Sequence, residues 1–259
     1  MDKKALVHLD EISLSWEELK ELPNDHLAAI AVLSYAVSET NALSRIYLCQ
    51  SHEYLGEKAI DSASNVHRFM IIRSWSSRLF EIEQFLRFGG KKPETSDELL
   101  KELADAALER LKEISVGEGF EVARDIRNEA TNHYSFKAAK KNLSSVHNSA
   151  DCKMYLHRQN GNCFYPFGEE VMFHARLNRR WKQISTKQER DRLFGQWLDW
   201  NIAANRWLAE THANFTNSLV FKPLDRNEAR KRVYWVPIEF VGNYSERLTP
   251  IFFESPESK

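Results

Sequence analysis

Apolar residues recur at helical spacing along most of this chain. After Pro23 and Asn24, the residues Leu27, Ile30, Ala31, Ser34, Val37 and Asn41 share one face, which predicts a helix over 25–49. A second run over 55–88 carries Ile60, Ala63, Val66, Met70, Ile71, Trp75, Leu79 and Ile82, with Gly89-Gly90 placed to stop it. Thr95 and Glu98 read as a capping box for a third amphipathic helix, built on Leu99, Leu103, Ala106, Ala107, Leu111 and Ile114 and closed by Gly117-Glu118-Gly119. Phe120, Ala123, Ile126, Ala130 and Tyr134 predict a fourth helix over 120–136. A last long helix is expected over 186–219, with Trp197, Trp200 and Trp207 turned to the core.

The pattern changes after the fourth helix. Met154–His157 and Cys163–Tyr165 flank Asn160-Gly161, and an Asn-Gly pair between strand-forming residues predicts a β-hairpin at 153–165, inside an insertion spanning 150–168. Val233 to Val241, which contains Pro237, reads as an extended segment within a C-terminal extension over 222–259. The expected fold is therefore mainly α: an antiparallel helical bundle forming a single domain over 1–259, with an inserted β-hairpin and a short C-terminal extended segment.

Composition adds limits. With 42% hydrophobic and 28% charged residues, 9 Gly and 7 Pro, the chain is globular in character. A net charge of -1 excludes a generic polyanion binder, whose affinity comes from neutralising phosphates, and confines any such role to local clusters. Three are candidates: Lys137, Lys140 and Lys141; Arg176, Arg179, Arg180 and Lys182; Arg226, Arg230, Lys231 and Arg232. The first ten residues lack the apolar core of a signal peptide, and no stretch reaches roughly 18 uninterrupted apolar residues, so a cytoplasmic protein with no membrane partner is expected. Cys49, Cys152 and Cys163 are read as reduced thiols. Cys152, His157, Cys163 and His174 could ligate zinc by type, but their spacing fits no compact knuckle, and neither a metal nor a cofactor is expected. Glycine-rich phosphate loops, nucleophile elbows and HExxH sequences do not occur.

One segment concentrates chemistry. Arg127-Asn128-Glu129-Ala130-Thr131-Asn132-His133-Tyr134 places a permanent cation, an amide and an imidazole within just over two helical turns. Arginine offers a fork of donors to phosphate oxygens, and histidine exchanges a proton near neutrality, a combination suited to phosphodiester chemistry without a metal. Positions six apart on an ideal helix lie about 9 Å apart along the axis and about 120° apart around it, so a distorted helix or two copies meeting in a dimer are needed to gather both side chains. An Arg-Asn pair followed after a short gap by His, late in a helical bundle, resembles the HEPN superfamily. That resemblance implies a homodimer with a composite cleft and metal-independent endoribonuclease activity, in many members as a toxin or defence effector with a separately encoded antitoxin. It implies that Arg127 and Asn128 hold the scissile phosphate of an RNA substrate and that His133 moves the proton, with Tyr134 and Lys137 as substrate-binding candidates. The alternative within the same resemblance is a catalytically inert dimeric module that binds a nucleotide, nucleic acid or protein partner.

Overall fold

The computed structural model describes residues 4–50, 55–89, 94–127, 135–158, 160–181, 187–226, 228–238 and 241–242. These are mainly helical, with one two-stranded antiparallel sheet. In chain order the elements are β1 (Lys4–Glu11), α1 (Trp16–Leu19), α2 (Asn24–Leu48), α3 (Lys58–Leu86), α4 (Glu98–Ile114), α5 (Gly117–Ile126), α6 (Phe136–Asn142), α7 (Pro166–Glu169), α8 (Ala175–Arg180), α9 (Lys187–Thr216) and β2 (Arg230–Pro237). A π-helical turn, Glu170–His174, joins α7 to α8, and another, Asn217–Phe221, follows α9.

The chain forms two compact units. The first comprises Met1–Ala42, Arg78–Ile114 and Ala203–Glu246. Its core gathers Leu33, Leu86, Leu100, Leu208, Phe215 and Leu219, all essentially buried. Ser15 and Glu18 make a reciprocal capping box on α1. For α4 the cap is Asp97 rather than the expected Thr95: the Leu100 amide donates to the Asp97 carboxylate at 2.9 Å, while Thr95 Oγ1 accepts from the Asp97 amide at 3.1 Å. The stop of α3 also differs from expectation, since the left-handed residue after it is Phe88, at φ 41°, ahead of the glycine pair. By length and composition α2 is the one helix among the described residues that could cross a membrane, with a mean hydropathy of 1.2. Two of its polar side chains have partners on α9, Ser34 with His212 at 2.9 Å and Asn41 with Asn205 at 3.0 Å. Extended β2 pairs in antiparallel register with β1, from Lys4↔Pro237 to Glu11↔Arg230, a pairing that the extended C-terminal segment did not announce.

The second unit comprises Leu43–Ser77, Ser115–Ile202 and Arg247–Lys259. Trp75, Val122, Ile126, Phe173, Leu177, Leu193 and Trp197 are buried in it. Two polar groups of this core are satisfied locally: Trp197 Nε1 donates to Ser76 Oγ at 2.8 Å, and Asn201 Nδ2 donates to the Trp197 carbonyl at 2.9 Å. The expected hairpin at 153–165 reduces to one antiparallel bridge, Tyr155↔Phe164, whose rings stack at 4.6 Å. Asn160–Asn162 form a 3-10 turn in place of a two-residue hairpin turn, so the Asn-Gly pair bends the chain without carrying a ladder.

The glycines at 117 and 119 have separate tasks. Gly117 takes φ 82° at the start of α5, where an L side chain is strained. Gly119 lies inside α5, and a Cβ there would come within 2.1 Å of the Gln196 carbonyl oxygen of α9. Backbone cannot retreat as a side chain can, so Gly119→Ala should destabilise the protein by about 1–3 kcal/mol. Gly195→Ala, where the added Cβ meets nothing within 4 Å on exposed helix, should stabilise by about 0.5–1 kcal/mol. Urea unfolding of both variants measures the contrast; equal effects would contradict the close crossing.

Candidate functional site

The expected motif helix over 120–136 is not one helix. α5 ends at Ile126 with Arg127 as its C-cap, and Ser135 is extended, at φ -102° and ψ 110°, accepting the Ala138 amide as the N-cap of α6. Phe136 therefore opens a new helix, so the expected span 120–136 is broken at Ser135. Asn128, His133 and Tyr134 lie outside the described residues. Arg127 is half-buried, and its amide donates to the carbonyls of Ala123 and Arg124. Lys137 is exposed on α6 beside Lys140 and Lys141, with the Lys140 ammonium 5.7 Å from the Phe136 ring centroid.

Both flanks of the motif are fastened to α8. Arg176, wholly buried, donates through Nε to Asp125 Oδ2 at 2.7 Å and through Nη2 to the Asp125 carbonyl at 2.9 Å. Arg180 Nε donates to the other carboxylate oxygen at 2.9 Å. Burial pushes the Asp125 carboxyl up, but the hydrogen bonds and charges of Arg176 and Arg180 outweigh it and hold its pKa below the ordinary carboxylate value. On the other flank, Arg179 Nε donates to Asn142 Oδ1 at 3.1 Å, and Asn178 Nδ2 to the Ser145 carbonyl at 3.2 Å. The three arginines of this cluster are thus engaged internally, a use their spacing in sequence could not reveal, while Lys182 lies outside the described residues. Removing Arg176 strands a buried carboxylate, so Arg176→Met should destabilise by about 3–5 kcal/mol. Arg180→Ala, at a half-exposed side chain, should change stability by less than about 1 kcal/mol. Thermal and urea unfolding of the two variants test that ordering.

A second concentration of chemistry went unassigned in the sequence. α3, the π turn and α9 line an open cavity of about 750 Å³ within the second unit. His174, weighed above only as a zinc ligand, lines it; His157 and Cys163 instead meet each other, the Cys163 Sγ accepting the His157 amide at 3.2 Å. No group of three or more metal-ligating side chains is found among the described residues. The His174 ring packs edge-on against Phe69 at 5.2 Å and Phe194 at 6.3 Å, and its Nδ1 is buried without a hydrogen-bond partner. Burial, aided by the charges of Arg190 and Arg73, lowers its pKa from 6.5 to about 4. Arg68 and Arg190 line the same cavity and form no ion pair among the described residues, and Arg68 Nε is buried without a partner. Arg73, by contrast, holds Glu169 through two hydrogen bonds of 2.6 and 2.7 Å. The signal that could have drawn attention to His174 is its company of aromatic residues, Phe173 beside it and Phe69 and Phe194 from distant helices, of which only the first is visible locally.

The depressed His174 pKa has a thermodynamic consequence. The unfolded chain takes up this proton near pH 6.5 and the folded chain only near 4, so the stabilisation is fully present above 6.5 and is lost as pH falls through that window. The loss should amount to roughly 3 kcal/mol between those limits. Urea unfolding at several pH values should show this slope in the wild type and its absence in His174→Gln; an unchanged slope in the variant would assign it to another group. Compared with protein-family models, with curated proteins and with solved structures, the chain finds no significant match in any of the three.

Proposed function

We propose that this chain is a HEPN-type, metal-independent endoribonuclease acting as a homodimer. Arg127 and Asn128 bind the scissile phosphate and stabilise its developing charge, and His133 shuttles a proton while the neighbouring RNA 2′-hydroxyl attacks phosphorus. The bond to the 5′-oxygen breaks, leaving a cyclic phosphate on one product and a hydroxyl on the other. The observation that carries this reading is the double fastening of the motif's flanks: Asp125, two residues before Arg127, and Asn142, beyond His133, both bind arginines of α8. A catalytic segment works only if its ends are held, since misplacement of a reacting group by about 1 Å can cost 100-fold in rate. The exposed lysines 137, 140 and 141 of α6 supply local positive charge next to the motif, where a chain of net charge -1 offers little elsewhere.

The test is cleavage of bulk RNA by purified protein in excess chelator, with Arg127→Ala and His133→Ala compared after circular dichroism confirms folding. Activity should fall at least about 100-fold in each variant, and light scattering should report a dimer in all three proteins. Undiminished cleavage in either variant, or none by the wild type on any RNA class, would overturn the reading in favour of a non-catalytic binding module.

A further inference from the structure

The cavity bounded by α3, the π turn and α9 is independent of the motif's chemistry, and its lining describes a ligand. Its lining includes the aromatic and apolar residues Tyr47, Phe69, Phe194 and Leu198. Among them stand the cations Arg68, next to Phe69 on α3, and Arg190, one turn before Phe194 on α9, with Lys58 exposed. Of the two acids present, Glu170 already accepts the Asp151 amide at 3.2 Å, and Asp191 is exposed. Among the described residues neither guanidinium has an ion pair, and the buried, unpartnered Nε of Arg68 carries a desolvation cost that an anion bound beside it would offset. A volume of about 750 Å³ falls in the range of sites for small organic molecules.

We propose that this cavity binds a small phosphate monoester carried on a flat aromatic body, the chemistry of a nucleoside monophosphate, with the phosphate between Arg68 and Arg190 and the ring against Phe69 and Phe194. Planar guanidinium forks match phosphate oxygens in pairs, and an aromatic ring gains contact with the phenyl walls that a bare anion cannot. Within this arrangement His174 contributes a neutral imidazole. Its Nδ1 is sealed against protein, so Nε2 is the ring nitrogen able to meet the ligand, as a hydrogen-bond donor to phosphate or an acceptor from the sugar. The charges facing His174 are Arg68 of α3, Arg73 paired with Glu169, Glu170 of its own turn, and Arg190 and Asp191 of α9. The π turn accounts for the placement: such turns often occur at functional sites in helices, and this one carries both Glu170 and His174 to the cavity.

The experiment is isothermal titration of the full chain at pH 7 with the four ribonucleoside monophosphates, the matching nucleosides, and inorganic phosphate. At least one monophosphate should bind at least tenfold more tightly than its nucleoside and than phosphate alone. Arg68→Gln and Arg190→Gln should each weaken that binding at least tenfold, with Lys58→Gln as an exposed rim variant lowering it by a smaller factor and guarding against loss through misfolding. Absence of binding by all four monophosphates, binding of inorganic phosphate equal to theirs, or affinities unmoved by all three substitutions would overturn the proposal. RNA cleavage measured alongside separates this site from the motif, because none of the three substitutions touches Arg127, Asn128 or His133.

Discussion

The buried pair of Asp125 and Arg176 is the constraint from which the second unit takes its order. Arg176 has no solvent exposure and Asp125 is buried, so each charge would be intolerable without the other. Attraction inside a protein offsets the loss of hydration only when the geometry is good and the remaining donors and acceptors are filled. Here the guanidinium meets both the carboxylate and the main-chain carbonyl of the same residue, and Arg180 takes the second carboxylate oxygen. An apolar pair of similar volume would give comparable stability, but it would tolerate sliding of one helix along the other. The ion pair admits one register. It sets where α5 ends relative to α8, and through Arg179 and Asn142 it sets where α6 stands as well.

The helical run that includes α7, the π turn and α8 is therefore a two-sided element. Residues two apart on a helix diverge by about 200°, so His174 and Arg176 face opposite ways. One side presents His174 and Glu170 to the cavity, and the other secures the flanks of the Arg127 motif. Gly119 serves the same assembly from α5, since its missing Cβ lets that helix pass against the backbone of α9 at Gln196. A substitution that shifted this run would disturb both faces together, which explains why so many of its contacts are charged and directional rather than merely apolar.

The long helices were legible in sequence because their information is local and repeats. Expected over 25–49, 55–88 and 186–219, they are observed as Asn24–Leu48, Lys58–Leu86 and Lys187–Thr216, and the tryptophans assigned to the core, Trp197, Trp200 and Trp207, are buried. What failed depended on distant partners. β1 was overlooked because the strand it pairs with begins at Arg230, at the other end of the chain. The break of the motif helix at Ser135 was hidden because a serine is tolerated within helices and becomes a cap only when its own backbone is extended. The Asn-Gly pair was read as a hairpin turn, but a strand ladder needs cross-strand pairs, and only Tyr155 and Phe164 supply one.

Charge shows most plainly what the tertiary structure adds. Sequence displayed three basic clusters of equal promise in a chain of net charge -1. Folding commits Arg176 and Arg180 to Asp125, Arg226 to Glu18 and Arg232 to Glu11. The lysines of α6 and the cavity arginines Arg68 and Arg190 form no ion pairs among the described residues. A near-neutral protein can bind anions only where its fold leaves cations without internal acids, because a neutralised pair offers little field beyond its own dipole. On that criterion the third cluster loses much of its promise, the second becomes scaffolding, and the first gains weight beside the motif. The cavity arginines, 122 positions apart in the chain and members of no cluster in the sequence, are brought by folding to the lining of one cavity.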